Sequence, residues 1–124
     1  MQPAGVGADL PGAAHLALAQ SVSYLQPEQA VVQAMLEGWA RQQRVRFLKS
    51  DTIRRRLRVV ERLVEFSSLY PWQWTAHEVE AFLDSMRSAP TRIAVSTARS
   101  YVTDLRLFLE YVTDGRYGWS AICT

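Results

Sequence analysis

The side chains here whose type and spacing suit them to chemistry are mostly arginines. Between Arg41 and Arg62 stand Arg41, Arg44, Arg46, Lys49, Arg54, Arg55, Arg56, Arg58 and Arg62 against only Asp51 and Glu61, a local charge of +7 in a chain of net +2. The remainder therefore carries −5. A guanidinium fork pairs bidentately with phosphate or with the edge of guanine, so a block of this kind suits a polyanion, nucleic acid first among them. Its bland counterpart is a solubilising helix face. Such faces usually intersperse Glu at helical spacing, and acid is scarce here. His15, His77 and Cys123 are too isolated to form a metal site, and no acid–base pair or phosphate-cradling glycine loop stands out. The chain is expected to bind rather than to catalyse, with no cofactor and no metal.

These arginines need elements to position them. The chain has 124 residues, 48% of them apolar and 10% aromatic, with four Trp, enough for one packed domain. A lone cysteine, Cys123, allows no internal disulfide framework and no cysteine-based zinc site, which points to a reducing cytoplasm. No apolar run approaches the roughly 18 to 20 residues that span a bilayer. Met1 to Leu10 lacks the basic start of a secretory signal. Residues 1–26, rich in Ala, Gly and Pro, read as a flexible arm.

From Pro27 the period becomes helical, and Val31, Val32, Met35, Leu36 and Trp39 share one face of a first helix over about 27–43. A second helix, capped by Ser50 or Asp51 and ending near Ser68, buries Ile53, Leu57, Val60, Leu63 and Val64. Arg54, Arg55, Arg58 and Arg62 project from its other side. Pro71 breaks that helix, and Thr75-Ala76-His77-Glu78 has the form of a capping box for a third helix over 76–87, with Trp74 and Val79 placed as a hydrophobic staple. Ala81, Phe82 and Met86 form its buried side. After the Pro90 loop, a fourth helix over 94–113 gathers Ala98, Tyr101, Val102, Leu105, Phe108, Leu109 and Val112, and Asp114-Gly115 stops it. No strand pattern competes. The fold class is all-α, a compact four-helix domain behind an N-terminal arm.

Thr52-Ile53-Arg54-Arg55-Arg56, Glu61-Arg62-Leu63-Val64-Glu65-Phe66, Tyr70-Pro71-Trp72-Gln73-Trp74-Thr75, Val79-Glu80-Ala81-Phe82-Leu83, and Ser96-Thr97-Ala98-Arg99-Ser100-Tyr101 with Leu105-Arg106-Leu107-Phe108 carry a resemblance. Over residues 28–119 the chain resembles the N-terminal core-binding, or SAM-like, domain of tyrosine site-specific recombinases and phage integrases of the actinobacterial type. The resemblance implies one half of a clamp around duplex DNA, serving site-specific recombination or integration. It also implies a separate C-terminal catalytic domain that supplies the nucleophilic tyrosine and its 3'-phosphotyrosine intermediate, with residues 120–124 as the start of a linker to it. Tyr101, Tyr111 and Tyr117 are not that nucleophile. Assembly as a tetramer on DNA and a cytoplasmic, nucleoid-associated location follow from the same resemblance.

In such domains the second and fourth helices touch DNA near their N-termini. Applied here, that implies Ser50, Thr52, Arg55 and Arg56 on the second helix, with Thr91, Arg92, Ser96, Arg99 and Thr103 around the fourth, and the basic block adds Arg44, Lys49, Arg54 and Arg58 as candidate DNA-binding residues. Each has a plainer alternative. Ser50, Thr52 and Ser96 can simply cap helices. Arg56 lies close enough to the apolar arc to sit over the core against a buried carboxylate, and Arg106 can pair with Glu110 at i+4. Trp39, Trp72, Trp74 and Trp119 suit base stacking in principle, but their positions favour core and staple roles. A helical protein-interaction module is the competing function. A helix-turn-helix regulator fits less well, because the loops are long and contain proline.

Overall fold

A computed structural model describes residues 27–122. Its elements are α1 (Pro27–Val45), α2 (Ser50–Ser67), a 3₁₀ turn (Pro71–Gln73), α3 (Ala76–Arg87), α4 (Val95–Thr113) and α5 (Trp119–Ile122), with no strand among the described residues. The arm expected over residues 1–26 lies outside the described residues, as do His15 and Cys123. No described helix is long and apolar enough to cross a membrane.

Local chemistry sets most boundaries. Pro27 opens α1, where its missing N–H costs nothing, and Glu28 faces the positive end of the helix dipole. α2 closes on Ser68 in the left-handed region (φ 57°), whose N–H returns to the Val64 carbonyl at 2.9 Å. The Gln73 side chain accepts the Tyr70 N–H at 2.9 Å, which fixes the turn at Pro71. The box expected at α3 is present: Thr75 Oγ1 accepts from the His77 N–H at 3.2 Å, and the Glu78 carboxylate accepts the Thr75 N–H at 2.8 Å. The Thr75 hydroxyl also donates to the Glu78 carboxylate, and that bond first, then the one from the Thr75 N–H, holds the Glu78 carboxyl below its usual range.

Two expected caps are not made. α2 follows Lys49 and α4 follows Ala94, neither with a side-chain cap bond, because Ser50 and Ser96 already lie inside their helices. Asp51 turns instead to an ion pair with Arg54. At the C-terminal end, α5 carries helix past residue 119, the expected edge of the domain, and Ser120 donates to the Val112 carbonyl at 3.3 Å.

α2 packs against α1, α3 and α4, and its closest partner is α4. The pair runs antiparallel. Arg55 of α2 meets Asp104 of α4, while Arg62, two turns later, donates to the hydroxyl of Tyr101, earlier in α4. Consistently, Leu48 just before α2 and Arg56 in its first half share a recess with Leu107 and Tyr111 in the second half of α4. The core between the helices contains Met35, Trp39, Val60, Leu63, Phe82, Phe108 and Trp119, all nearly inaccessible to solvent. Each such side chain contributes on the order of 1.5–3 kcal/mol by leaving water. Trp39 and Phe108 meet with ring centroids 5.2 Å apart. Val102, expected inside, is 44% exposed, whereas Val59, Tyr111 and Asp104 are buried.

Candidate nucleic-acid interface

On α2, at about 100° per residue, Arg55, Arg58 and Arg62 lie along the edge next to α4, and Arg54 lies further round on the open face. Arg54 and Arg58 are exposed, and the Arg55 side chain is 52% exposed. The ion pair of Arg54 with Asp51 joins two largely exposed side chains, so it contributes little and yields readily to a stronger anion. Arg44 and Lys49 flank the start of α2, also exposed. Among the described residues neither they nor Arg58 enters an ion pair. Ser50 is exposed and Thr52 half-buried.

Arg56 belongs elsewhere. Its side chain is only 20% exposed, its Nε lies 3.5 Å from Asp104 Oδ1, and its Nη1 donates to Gln43 Oε1 at 3.1 Å. Gln43, itself buried, donates back to the Trp39 carbonyl at 3.4 Å. Of the two alternatives at Arg56, the structure builds the one over the core. Asp104 also accepts from Arg55 Nη2 at 3.3 Å, so one buried carboxylate ties Arg56 inside and steadies Arg55 at the rim. Burial pushes the Asp104 carboxyl above its usual range, and the cations of Arg55 and then Arg56 pull against that rise without cancelling it.

α4 supplies the neighbouring flank. Its Val102, Leu105 and Leu109 line a recess with Val79 of α3, which places the α3 side of the helix. Ser96, Ser100 and Thr103 fall on the opposite side, toward α2, with Arg99 beside them on the exposed face. Ser96, Arg99 and Thr103 are exposed. The hydroxyl of Thr103 donates to the Arg99 carbonyl at 3.1 Å, so it meets a ligand as an acceptor unless that bond breaks. Thr91 and Arg92 are exposed on the loop before α4, with Arg92 in the left-handed region (φ 43°) and its N–H on the Ser88 carbonyl at 3.0 Å.

Because α2 and α4 run antiparallel, their N-terminal turns do not converge. Ser50 lies on one side of the Arg55–Asp104 level and Ser96 on the other, about 20 Å apart along the pair, a length of roughly six base-pair steps. The candidates form an elongated strip: Lys49 and Ser50 at one end, Arg54, Arg55 and Arg58 in the middle, and Ser96, Arg99, Thr91 and Arg92 toward the other, with Arg44 set apart in the recess between α1 and α2 beside Leu57 and Glu61. Arg62 extends the middle, with its Nη1 on the hydroxyl of Tyr101 at 3.0 Å.

The plainer alternatives divide. Arg106 and Glu110 make no ion pair with each other. Trp39 and Trp119 are buried and closed to stacking on bases, while Trp72 stacks on Tyr70 with centroids 5.0 Å apart. The supporting residues Gln43 and Asp104 carried no signal in the sequence, since nothing local distinguishes a polar residue drawn inward from one left in water. Comparison with models of protein families, with curated proteins and with solved structures finds no match for the chain.

Proposed function

We propose that this chain is a duplex-DNA-binding module of the core-binding type found in tyrosine recombinases and integrases. The observation that carries the reading is the strip itself. Exposed guanidinium groups of Arg54, Arg55 and Arg58 lie beside the hydroxyl-bearing flank of α4, and both helices begin without a side-chain cap, leaving their first N–H groups for phosphate oxygens. Under this reading no residue of the module is assigned to catalysis. Its partners are duplex DNA and a catalytic domain of the same protein, assembled as a tetramer on DNA at the nucleoid.

The test is alanine replacement of Arg54, Arg55 and Arg58 together. Duplex affinity should fall, and the slope of log K against log salt should shrink by about 3, close to one for each phosphate left without its arginine. Unchanged affinity and slope would show that the strip does not bind DNA. A second reading, a helical protein-interaction module, has one observation in its favour: the recess of about 350 Å³ between α3 and α4, lined by Val79, Val102, Leu105 and Leu109. Under that reading the triple variant keeps its partner, while Val102→Asp loses it.

A further inference from the structure

The turn between α1 and α2 presents an aromatic ring to water. Phe47 is 92% exposed and joins no part of the core cluster, unlike Phe66, which packs edge-on against Phe82 at 5.6 Å between centroids. Burial of a phenylalanine is a main source of folding energy, so a ring left outside withholds that contribution from the fold.

Its backbone runs against residue type as well. Phe47 has φ 63°, in the left-handed region where a Cβ is strained. The hydrogen bonds explain how it is held there. The Leu48 N–H reaches the Gln43 carbonyl at 3.1 Å and the Phe47 N–H reaches the Arg44 carbonyl at 3.0 Å, which is the paired closure of a Schellman motif with Phe47 at the position that Gly usually occupies. The ring therefore projects from a defined turn rather than from a loose loop.

The charge around it points to a partner. Arg44, Arg46 and Lys49 are exposed within three residues of Phe47, and residues 38–50 contain no acid. Glu110 and Asp114 share a recess with Arg46, and Glu37 and Glu61 one with Arg44, but among the described residues none of them makes an ion pair with these cations. The chain cannot carry Arg46 or Lys49 more than about 7 Å from Phe47 at the Cα positions. An apolar ring collared by cations fits a surface that is anionic outside and apolar just beneath, as a base stack is beneath its phosphates.

We propose that Phe47 is a wedge that enters the base stack of duplex DNA while Arg44, Arg46 and Lys49 hold the flanking phosphates. This rests on the duplex-binding reading above and adds a mode of engagement to it. The ring sits three residues before α2, at the end of the strip formed by Lys49 and Ser50. A wedge works best where the stack opens easily, so it favours pyrimidine–purine steps such as TpA over stiff A-tracts.

The experiment uses the full chain with short duplexes carrying 2-aminopurine at a TpA step or within an A-tract. The wild type should raise 2-aminopurine fluorescence at the TpA step and less so in the A-tract. Phe47→Ala and Phe47→Gly should abolish the rise and weaken binding roughly 5- to 100-fold, the range for removing one aromatic ring from a base. Their salt slope should not change, because the charge is the same. Phe47→Trp should restore both signals. Folding does not confound the result, since Phe47→Gly relieves the left-handed backbone and should melt at or above the wild-type temperature. Wild-type affinity in Phe47→Ala, or no fluorescence change with the wild type, would overturn the wedge while leaving the arginine strip intact. Binding to anionic vesicles that depends on Phe47, with DNA binding that does not, would also overturn it. Absence of salt-dependent duplex binding in the wild type would remove the duplex-binding reading and the wedge together.

Discussion

Arg54 and Arg56 stand two positions apart on α2 and do different work. The Arg54 side chain is 73% exposed and tied only to an exposed Asp51, whereas Arg56 is held over the core by Asp104 and Gln43. Removing one member of a buried ion pair strands the other in a poor dielectric, while an exposed pair contributes little. Arg56→Ala is therefore expected to cost about 2–3 kcal/mol in urea unfolding, and Arg54→Ala to stay within about 0.5 kcal/mol while weakening duplex binding. If Arg56→Ala kept full stability and lost DNA affinity as Arg54→Ala does, Arg56 would belong to the strip after all.

At the level of elements, α1 and α4 meet through a glycine. A Cβ on Gly38 would run into the hydroxyl of Tyr111, whose ring is fixed by the Trp119 indole N–H at 3.0 Å. Alanine in a helix interior normally gains up to about 1 kcal/mol over glycine. Here Gly38→Ala should instead destabilise by about 1–3 kcal/mol, and Tyr111→Phe in the same chain should recover part of the deficit. A higher melting temperature for the single variant would mean that α1 and α4 are not packed as described. The four main helices were legible in the sequence because apolar period, Pro27, Pro71 and the Thr75–Glu78 box all act locally. The arginine block was legible too, as bare charge. What could not be read depends on distant partners: Asp104 is drawn inward by arginines some 49 positions earlier, and Trp119 is buried because α5 folds back onto α4. Phe47 carried no signal because its left-handed turn lacks the glycine that marks such turns.

Taken whole, the molecule has a small net charge and a strongly uneven field. The strip concentrates cations along α2 and its approaches, while the compensating acids lie mostly elsewhere in the chain. A field of that form steers a polyanion to one face and makes the encounter sensitive to salt. It does so without requiring base-specific contacts, so affinity for random duplex should already report it. The decisive experiment is anisotropy binding of the full chain to random duplex DNA across a range of salt concentrations. Measurable binding is expected at low salt, with log K falling linearly in log salt at a slope of about −5, as follows if Arg44, Arg46, Lys49, Arg54, Arg55 and Arg58 each hold a phosphate. No binding at low salt, or an affinity indifferent to salt, would contradict the duplex-binding strip.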